Sequence, residues 1–125
     1  MPVVLPNVLI WTSRPNYSAS TGTSAPAPYL SEVEAHAGPV VQQDYRTMPV
    51  SALTSDYLIK VDIGTDIVAE HTIYKMTIID DPLTPWDELG PNEAFTVIFP
   101  QNSAAGPLQH RKLWCKRITA GGPAQ

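Results

Sequence analysis

Apolar and polar residues alternate over short stretches of this chain, and a period of two is typical of β-strands. The clearest case is residues 57–63, where every second position from Tyr57 onward is apolar. A neighbouring strand is predicted at 71–79, and its more apolar face carries Tyr74, Met76 and Ile78. We expect that face to lie in the core, because successive side chains of a strand point to opposite sides. The two segments predict a central hairpin, with Trp114 packing nearby.

Proline and glycine divide the rest of the chain into further short segments. Four more strands are predicted at residues 3–12, 29–37, 94–99 and 108–119, with Pro100 ending the fifth of the six. The 13 prolines in 125 residues exceed ordinary usage and argue against long helices. The predicted fold is therefore all-β, a small antiparallel β-barrel or sandwich of about six strands with long Pro-rich loops.

Three segments read as loops. Residues 13–28 are rich in Ser, Thr, Pro and Ala, residues 42–56 are polar, and residues 80–93 are rich in turn formers. Short helical turns are expected within 41–46 or 51–55. Another is expected after Thr84, with Pro85 at the first helical position.

The length fits one domain. We divide it into an extended N-terminal strand and arm (1–28), a β-barrel domain (29–119) and a mobile tail (120–125). The apolar N-terminus lacks the basic residues of a signal peptide, and no apolar run approaches a membrane span. One cysteine, Cys115, excludes a disulfide framework.

Charge is unevenly distributed, although the formal net charge is only −4. Residues 1–30 contain five prolines and a single charged residue, Arg14, so this arm is expected to become ordered against other chains. All 12 acidic residues lie in 31–93, and 94–125 hold four basic residues and no acidic one. The basic segment either packs beside the acidic middle of its own fold or meets the acidic face of another copy. The candidate partner contacts are Trp11, Arg14, Tyr17, Arg111, Lys112, Lys116 and Arg117.

The sequence offers little chemistry. It contains no nucleophile elbow, phosphate-binding loop, dinucleotide fingerprint or HExxH motif. His36, His71 and His110 lie on different predicted strands and are read as structural or surface residues rather than as metal ligands. Cys115 is read as a small buried residue, and Asp80-Asp81 as a strand-ending turn. No catalytic residue, cofactor or metal is expected, and the chain is predicted not to be an enzyme.

The order of elements from residue 29 onward is distinctive. The strand EVEAHAGPV runs into the polar QQDYRTMP, then come YLIKVDIGTDI with an acidic end, YKMTIIDDP ending in acid–proline, and the pair FTVIF and HRKLWCKRI. This order resembles the head-completion, or head-tail connector "stopper", proteins of long-tailed bacteriophages. The residues that carry the resemblance are Ala35, His36, Pro39, Gln43, Asp44, Tyr45, Asp62 and Asp66.

The resemblance implies a small barrel that acts as a structural virion subunit, assembled in the host cytoplasm. Such a subunit forms a homo-oligomeric ring with portal or adaptor and tail proteins, close to packaged double-stranded DNA. The segment after the second strand is then expected to face the channel. The channel-loop candidates are Gln42, Gln43, Asp44, Tyr45, Arg46 and Met48. The alternatives are a small nucleic-acid-binding β-barrel, in which aromatic residues would stack on bases, and a capsid decoration or minor tail protein.

Overall fold

The computed structural model describes residues 6–17, 24–42, 46, 48–87, 89–90, 93–103 and 109–119. Its strands are β1 (Val8–Tyr17), β2 (Ser24–Pro28), β3 (Val33–Pro39), β4 (Tyr57–Asp62), β5 (Thr72–Ile78), β6 (Asp81–Pro85), β7 (Glu93–Ser103) and β8 (His110–Thr119). A 3-10 turn, Val50–Ala52, precedes β4, and Gln42 and Arg46 are also in 3-10 conformation.

Six of the strands close into an antiparallel barrel in the order β1-β3-β4-β8-β7-β5. Closure depends on β1, which pairs with two strands at once. Val8 lies opposite Ala35 of β3 on one edge and opposite Ile78 of β5 on the other. The predicted all-β barrel is confirmed, and β1 is one of its six strands. The barrel therefore includes residues that the sequence assigned to an arm outside it.

The other two strands, β2 and β6, lie at the ends of the strand order. β2 pairs with the C-terminal half of β1, from Ser13–Pro28 to Tyr17–Ser24. β6 pairs with the last residues of β5. Loop predictions for 13–28 and 80–93 were thus wrong where these strands form. Proline disfavours central strands but is tolerated at sheet edges, and both strands are edges. Residues 1–5, 18–23 and 120–125, including the expected tail, lie outside the described residues.

Apolar side chains fill the barrel interior, as is usual for small barrels. In β4 the inward positions are Tyr57, Ile59 and Val61, all buried. The remaining buried members of this cluster are Val8, Ile10, Ala35, Ala37, Ile67, Ile73, Met76, Phe95, Val97, Leu113 and Cys115. The inward face of β4 therefore follows the alternation read from the sequence.

In β5 the alternation is broken by a bulge. Trp11 lies opposite Lys75, but its neighbour Thr12 lies opposite Ile73, so Tyr74 is the extra residue. Ile73 and Met76 are buried in the core, whereas the Tyr74 side chain is 40% exposed. The expected core face was correct at Met76 and wrong at Tyr74, because a bulge shifts the side-chain period by one residue.

A second apolar cluster lies on the outer face of the barrel. Trp114 and Leu58 point outward from β8 and β4, and the 3-10 turn covers them with Ala52. Met48 packs against the same cluster. The expectation of a polar 42–56 loop outside the core was therefore wrong in part. The predicted central hairpin was also wrong, because β4 pairs with β3 and β8, whereas β5 pairs with β1, β6 and β7. Trp114 does pack beside the first of the two predicted strands, opposite Leu58 of β4.

Two predictions about prolines were wrong, one in β7 and one in β6. Pro100 does not end its strand, because β7 runs on to Ser103 after a bulge between Val97 and Phe99. Pro85 belongs to β6 rather than to a helix. A single turn follows it, closed by the Leu89 N–H donating to the Trp86 carbonyl (3.1 Å).

Candidate interaction surface

The order and direction of the strands determine at which end of the barrel each connecting segment lies. Segments 40–56 and 79–92 join strands at one end, called here the lower end. Segments 29–32 and 63–71 join strands at the upper end, where β7 also ends and β8 begins. The proposed channel loop therefore connects strands at the lower end.

The channel-loop candidates differ in exposure. Gln42 and Arg46 are exposed, whereas Met48 is half-buried in the second cluster. Gln43, Asp44 and Tyr45 lie outside the described residues. The lower-end segment thus combines a polar exposed part with an apolar part fixed to the barrel wall.

At the upper end a polar cluster ties β1 to the segment that follows β4. The Tyr29 hydroxyl donates to Asp66 Oδ2 (2.5 Å), and the Arg14 guanidinium carbon lies 4.5 Å from the Tyr29 ring centroid. His71 meets the same ring edge-on at 5.4 Å. The hydrogen bond to Asp66 raises the pKa of Tyr29, while burial lowers the pKa of His71. Arg14, expected at a partner contact, is in contact with Tyr29 of its own chain.

Two arginines of β8 brace the two ends of the barrel. At the upper end Arg111 donates from Nε to the Ile67 carbonyl (2.9 Å) and from Nη1 to Asn102 Oδ1 (2.8 Å). At the lower end Arg117 forms an ion pair with Glu93 (3.0 Å) and lies over the Phe95 ring (5.2 Å to the centroid). Arg117 of the basic C-terminal segment is therefore paired with Glu93 of the acidic middle segment in its own chain, which is the first of the two alternatives.

The remaining basic candidates lie on the outer face of β8. Lys112 stands directly opposite Lys60 of β4, and its ammonium is 5.9 Å from the Trp114 ring centroid. Lys116 is exposed. On the other side of the barrel, Lys75 lies over the half-buried Trp11 at 4.5 Å. Of the other aromatic candidate, Tyr17, only its pairing at the end of β1 is described.

A stacking platform would require exposed aromatic faces. Trp114 is fully buried, and its Nε1 donates to Gln101 Oε1 (2.9 Å). The one tryptophan on the basic last strand is therefore covered by the protein itself.

The histidines and the cysteine occupy separate places. Among the described residues, no group of three His, Cys, Asp or Glu side chains could hold a metal ion. His71 Nδ1 accepts the Val68 N–H (3.4 Å). Cys115 is buried, its Sγ contacts the Leu113 carbonyl (3.3 Å), and burial raises its pKa. The reading of Cys115 as a small buried residue is confirmed. In the described part of the chain, no helix has the length and apolar character to cross a membrane.

A set of exposed apolar side chains lies at the lower end and was not predicted from the sequence. Leu83 of β6 is 93% exposed, Val50 of the 3-10 turn 83% and Leu53 62%. All three lie in segments without a regular period, so alternation could not assign them to a face. Their exposure can be recognised only in the folded structure.

Comparison of the chain with protein-family models finds no match, and comparison with curated proteins finds none either.

Proposed function

We propose that this chain is a non-enzymatic structural subunit of a tailed-phage head-tail connector. In this proposal its copies form a ring that closes the DNA-filled head and docks the tail. The proposal is supported by the order of elements from residue 29 onward and by the closed barrel that carries them. The observation that carries it furthest is the filled interior, because it leaves the outer wall and the two ends as the surfaces available to partners.

The lower-end segment suits a role at the channel. Ala52 and Met48 fix it to the barrel wall, while Gln42 and Arg46 remain exposed. A loop beside DNA in transit should contact phosphates without holding them, and phosphate affinity grows with the number of lysines and arginines engaged. One exposed arginine meets that requirement.

One observation favours a nucleic-acid-binding barrel as a second candidate. Lys60 and Lys112 face each other across β4 and β8, and His36 lies opposite Lys60 from β3. The two lysines place positive charge on this part of the outer face, and lysine is one of the residues that contact a phosphate backbone. The buried Trp114 counts against base stacking, so this candidate would bind the backbone alone.

The deciding experiment is negative-stain electron microscopy of the purified protein, alone and with the portal protein encoded in the same genome. Rings, or a portal capped by this chain, are expected. A monomer that leaves the portal bare would contradict the proposal.

Fluorescence anisotropy with a labelled single-stranded oligonucleotide at low salt tests the second candidate. Binding that is lost in Lys60→Glu/Lys112→Glu, but retained in Lys116→Glu, would favour it. The Lys116 variant is the matched control, because it changes a lysine on the same strand outside that row.

A further inference from the structure

The segment 80–85 forms a small apolar projection with an acidic rim, called here the Leu83 knob. Leu83 is 93% exposed at its tip. Asp80 and Asp81 beside it are exposed, as is Asp87 just beyond it. The sequence contains no lysine or arginine between Lys75 and Arg111. An isolated exposed leucine is ordinary, but this one is surrounded by acidic residues and lies on a restrained stretch of backbone.

The knob is held in place rather than attached loosely. Between the pairs Ile78–Asp81 and Thr77–Pro85, residues 82–84 bulge out of the β5–β6 ladder. Pro82 and Pro85 restrict the backbone, and the Thr84 hydroxyl donates to Asp81. Immediately afterwards the Trp86 N–H donates to the Met76 carbonyl (2.8 Å). A projection fixed in this way loses little conformational entropy on binding.

A complementary surface lies at the same end of the barrel. The 3-10 turn that covers Trp114 exposes Val50 (83%) and Leu53 (62%). Lys116 follows Trp114 on the outer face of β8, and the Asp56 N–H, donating to the Cys115 carbonyl (2.9 Å), joins the end of this segment to the strand. We call Val50, Leu53 and the exposed Lys116 the receiving surface. It is apolar with Lys116 at its edge, beside Asp56, whose carboxylate accepts the Arg117 N–H (3.0 Å). The charged residues of the knob are all acidic.

We propose that the Leu83 knob of one copy docks on the receiving surface of a second copy of this chain. The inference rests on the proposed function, because it names the contact from which the ring would be built. The knob extends from β5 and the receiving surface covers β4 and β8, with β7 between β8 and β5. The two surfaces therefore lie on different sides of the barrel. A contact between unlike surfaces is heterologous and propagates from copy to copy, giving a ring where the rotation closes and an open filament where it does not. The proposed connector requires the closed case.

The test uses two variants of the full chain, each with one surface destroyed. Leu83→Glu removes the knob, and Val50→Glu/Leu53→Glu removes the receiving surface. All three side chains are exposed, so circular dichroism and thermal melts should match those of the parent. Each variant alone should need about a tenfold or higher concentration to self-associate. Mixed together they should form a one-to-one dimer and nothing larger, because one intact knob and one intact receiving surface remain. Sedimentation velocity, with and without the portal protein, reads out these species.

A cross-linking experiment gives an independent readout. Leu83→Cys/Leu53→Cys should give a ladder of covalent oligomers with a bismaleimide reagent. Leu83→Cys/Val68→Cys, with its second cysteine at the upper end, should not. The buried Cys115 should remain unreactive, because the thiolate is the reactive form and burial raises the pKa of this thiol.

The possible failures are distinguishable. Rings or portal-bound assemblies formed by Leu83→Glu as readily as by the parent would overturn the knob contact and leave the proposed function standing. A parent chain that does not assemble, even with the portal protein, together with a Leu83→Cys/Leu53→Cys variant that does not cross-link, would overturn both. A mixture of the two variants that forms species larger than a dimer would show that other surfaces build the assembly.

Discussion

The ring of Tyr57 is stacked on the ring of Phe95, with centroids 4.4 Å apart and planes inclined by 17°. The Tyr57 hydroxyl also accepts a hydrogen bond from Trp86 Nε1 (3.1 Å). Tyr57 begins β4, Phe95 lies in β7 and Trp86 follows β6, so one buried side chain links three separate parts of the chain. The Trp86 contact holds the base of the Leu83 knob against the core.

We expect Tyr57→Phe to lower the free energy of unfolding by about 0.5–1.5 kcal/mol, the usual net value of a hydrogen bond. Trp86→Phe should cost more, because it also removes part of a ring that packs against the core. If this bond is the shared loss, the double variant should cost less than the sum of the two single variants. Urea denaturation of the four proteins measures the coupling. Strict additivity would mean that the two side chains do not interact in solution.

Two isoleucines of β5 differ in burial and should differ in their contribution to stability. Ile73→Ala should lower the free energy of unfolding by about 2–5 kcal/mol, because Ile73 is fully buried. Ile78→Ala should cost less, because Ile78 is only partly buried. Chemical denaturation of both variants under one set of conditions decides the matter. The reverse order would contradict the burial of Ile73 in the core.

The 3-10 turn offers a matched pair of adjacent residues. Ala52→Asp should cost about 3–5 kcal/mol, because it places an unpaired charge against Trp114. Ser51→Asp, at the exposed neighbouring position, should be close to neutral. Deleting residues 44–54 should likewise destabilise the barrel, because it removes the cover of the second cluster. Thermal unfolding checks all three, and an intact melting temperature after the deletion would show that this cover is dispensable.

His71 should make stability depend on pH. Burial is the larger influence and lowers its pKa below the ordinary 6.5 despite the opposing charge of Asp66. As pH falls through about 6.5, the unfolded chain takes up a proton that the folded chain does not, so stability falls. The contribution is fully present above the unfolded pKa and is lost as pH drops towards the folded pKa.

His71→Asn provides the test, because the amide oxygen can still accept the Val68 N–H but does not titrate. Denaturation midpoints measured on both sides of pH 6.5 should vary less in this variant than in the parent. His36 and His110 are present in both proteins and cancel in the comparison. Equal pH slopes would mean that His71 does not contribute.

The sequence predicted the fold class because alternation is preserved in β4 and in much of β8, where one face is buried in the barrel. It predicted the wrong face at Tyr74, because a one-residue bulge leaves no local mark on the pattern. β2 and β6 were missed because their prolines count against central strands, and only the assembled sheet shows that they lie at its edges.

The candidate surfaces were harder to predict for a related reason. Arg111 and Arg117 read as surface charges, yet the register of β8 turns both inward at the barrel ends. Ala52 carries no signal of burial in a polar segment until the position of Trp114 is known. The exposure of Leu83 likewise depends on the bulge that expels it from the ladder.

The two edge strands have a consequence for how copies of this chain can meet. Pro15 lies opposite Pro26, and since neither has an N–H, both nitrogens must face away from the partner strand. Pro28, two residues further along, has its nitrogen on the same side as Pro26. β6 likewise contains Pro82 and Pro85. The free margins of the sheet are therefore poor templates for an incoming strand. Copies brought close together at high concentration should therefore resist growth into fibrils by strand addition.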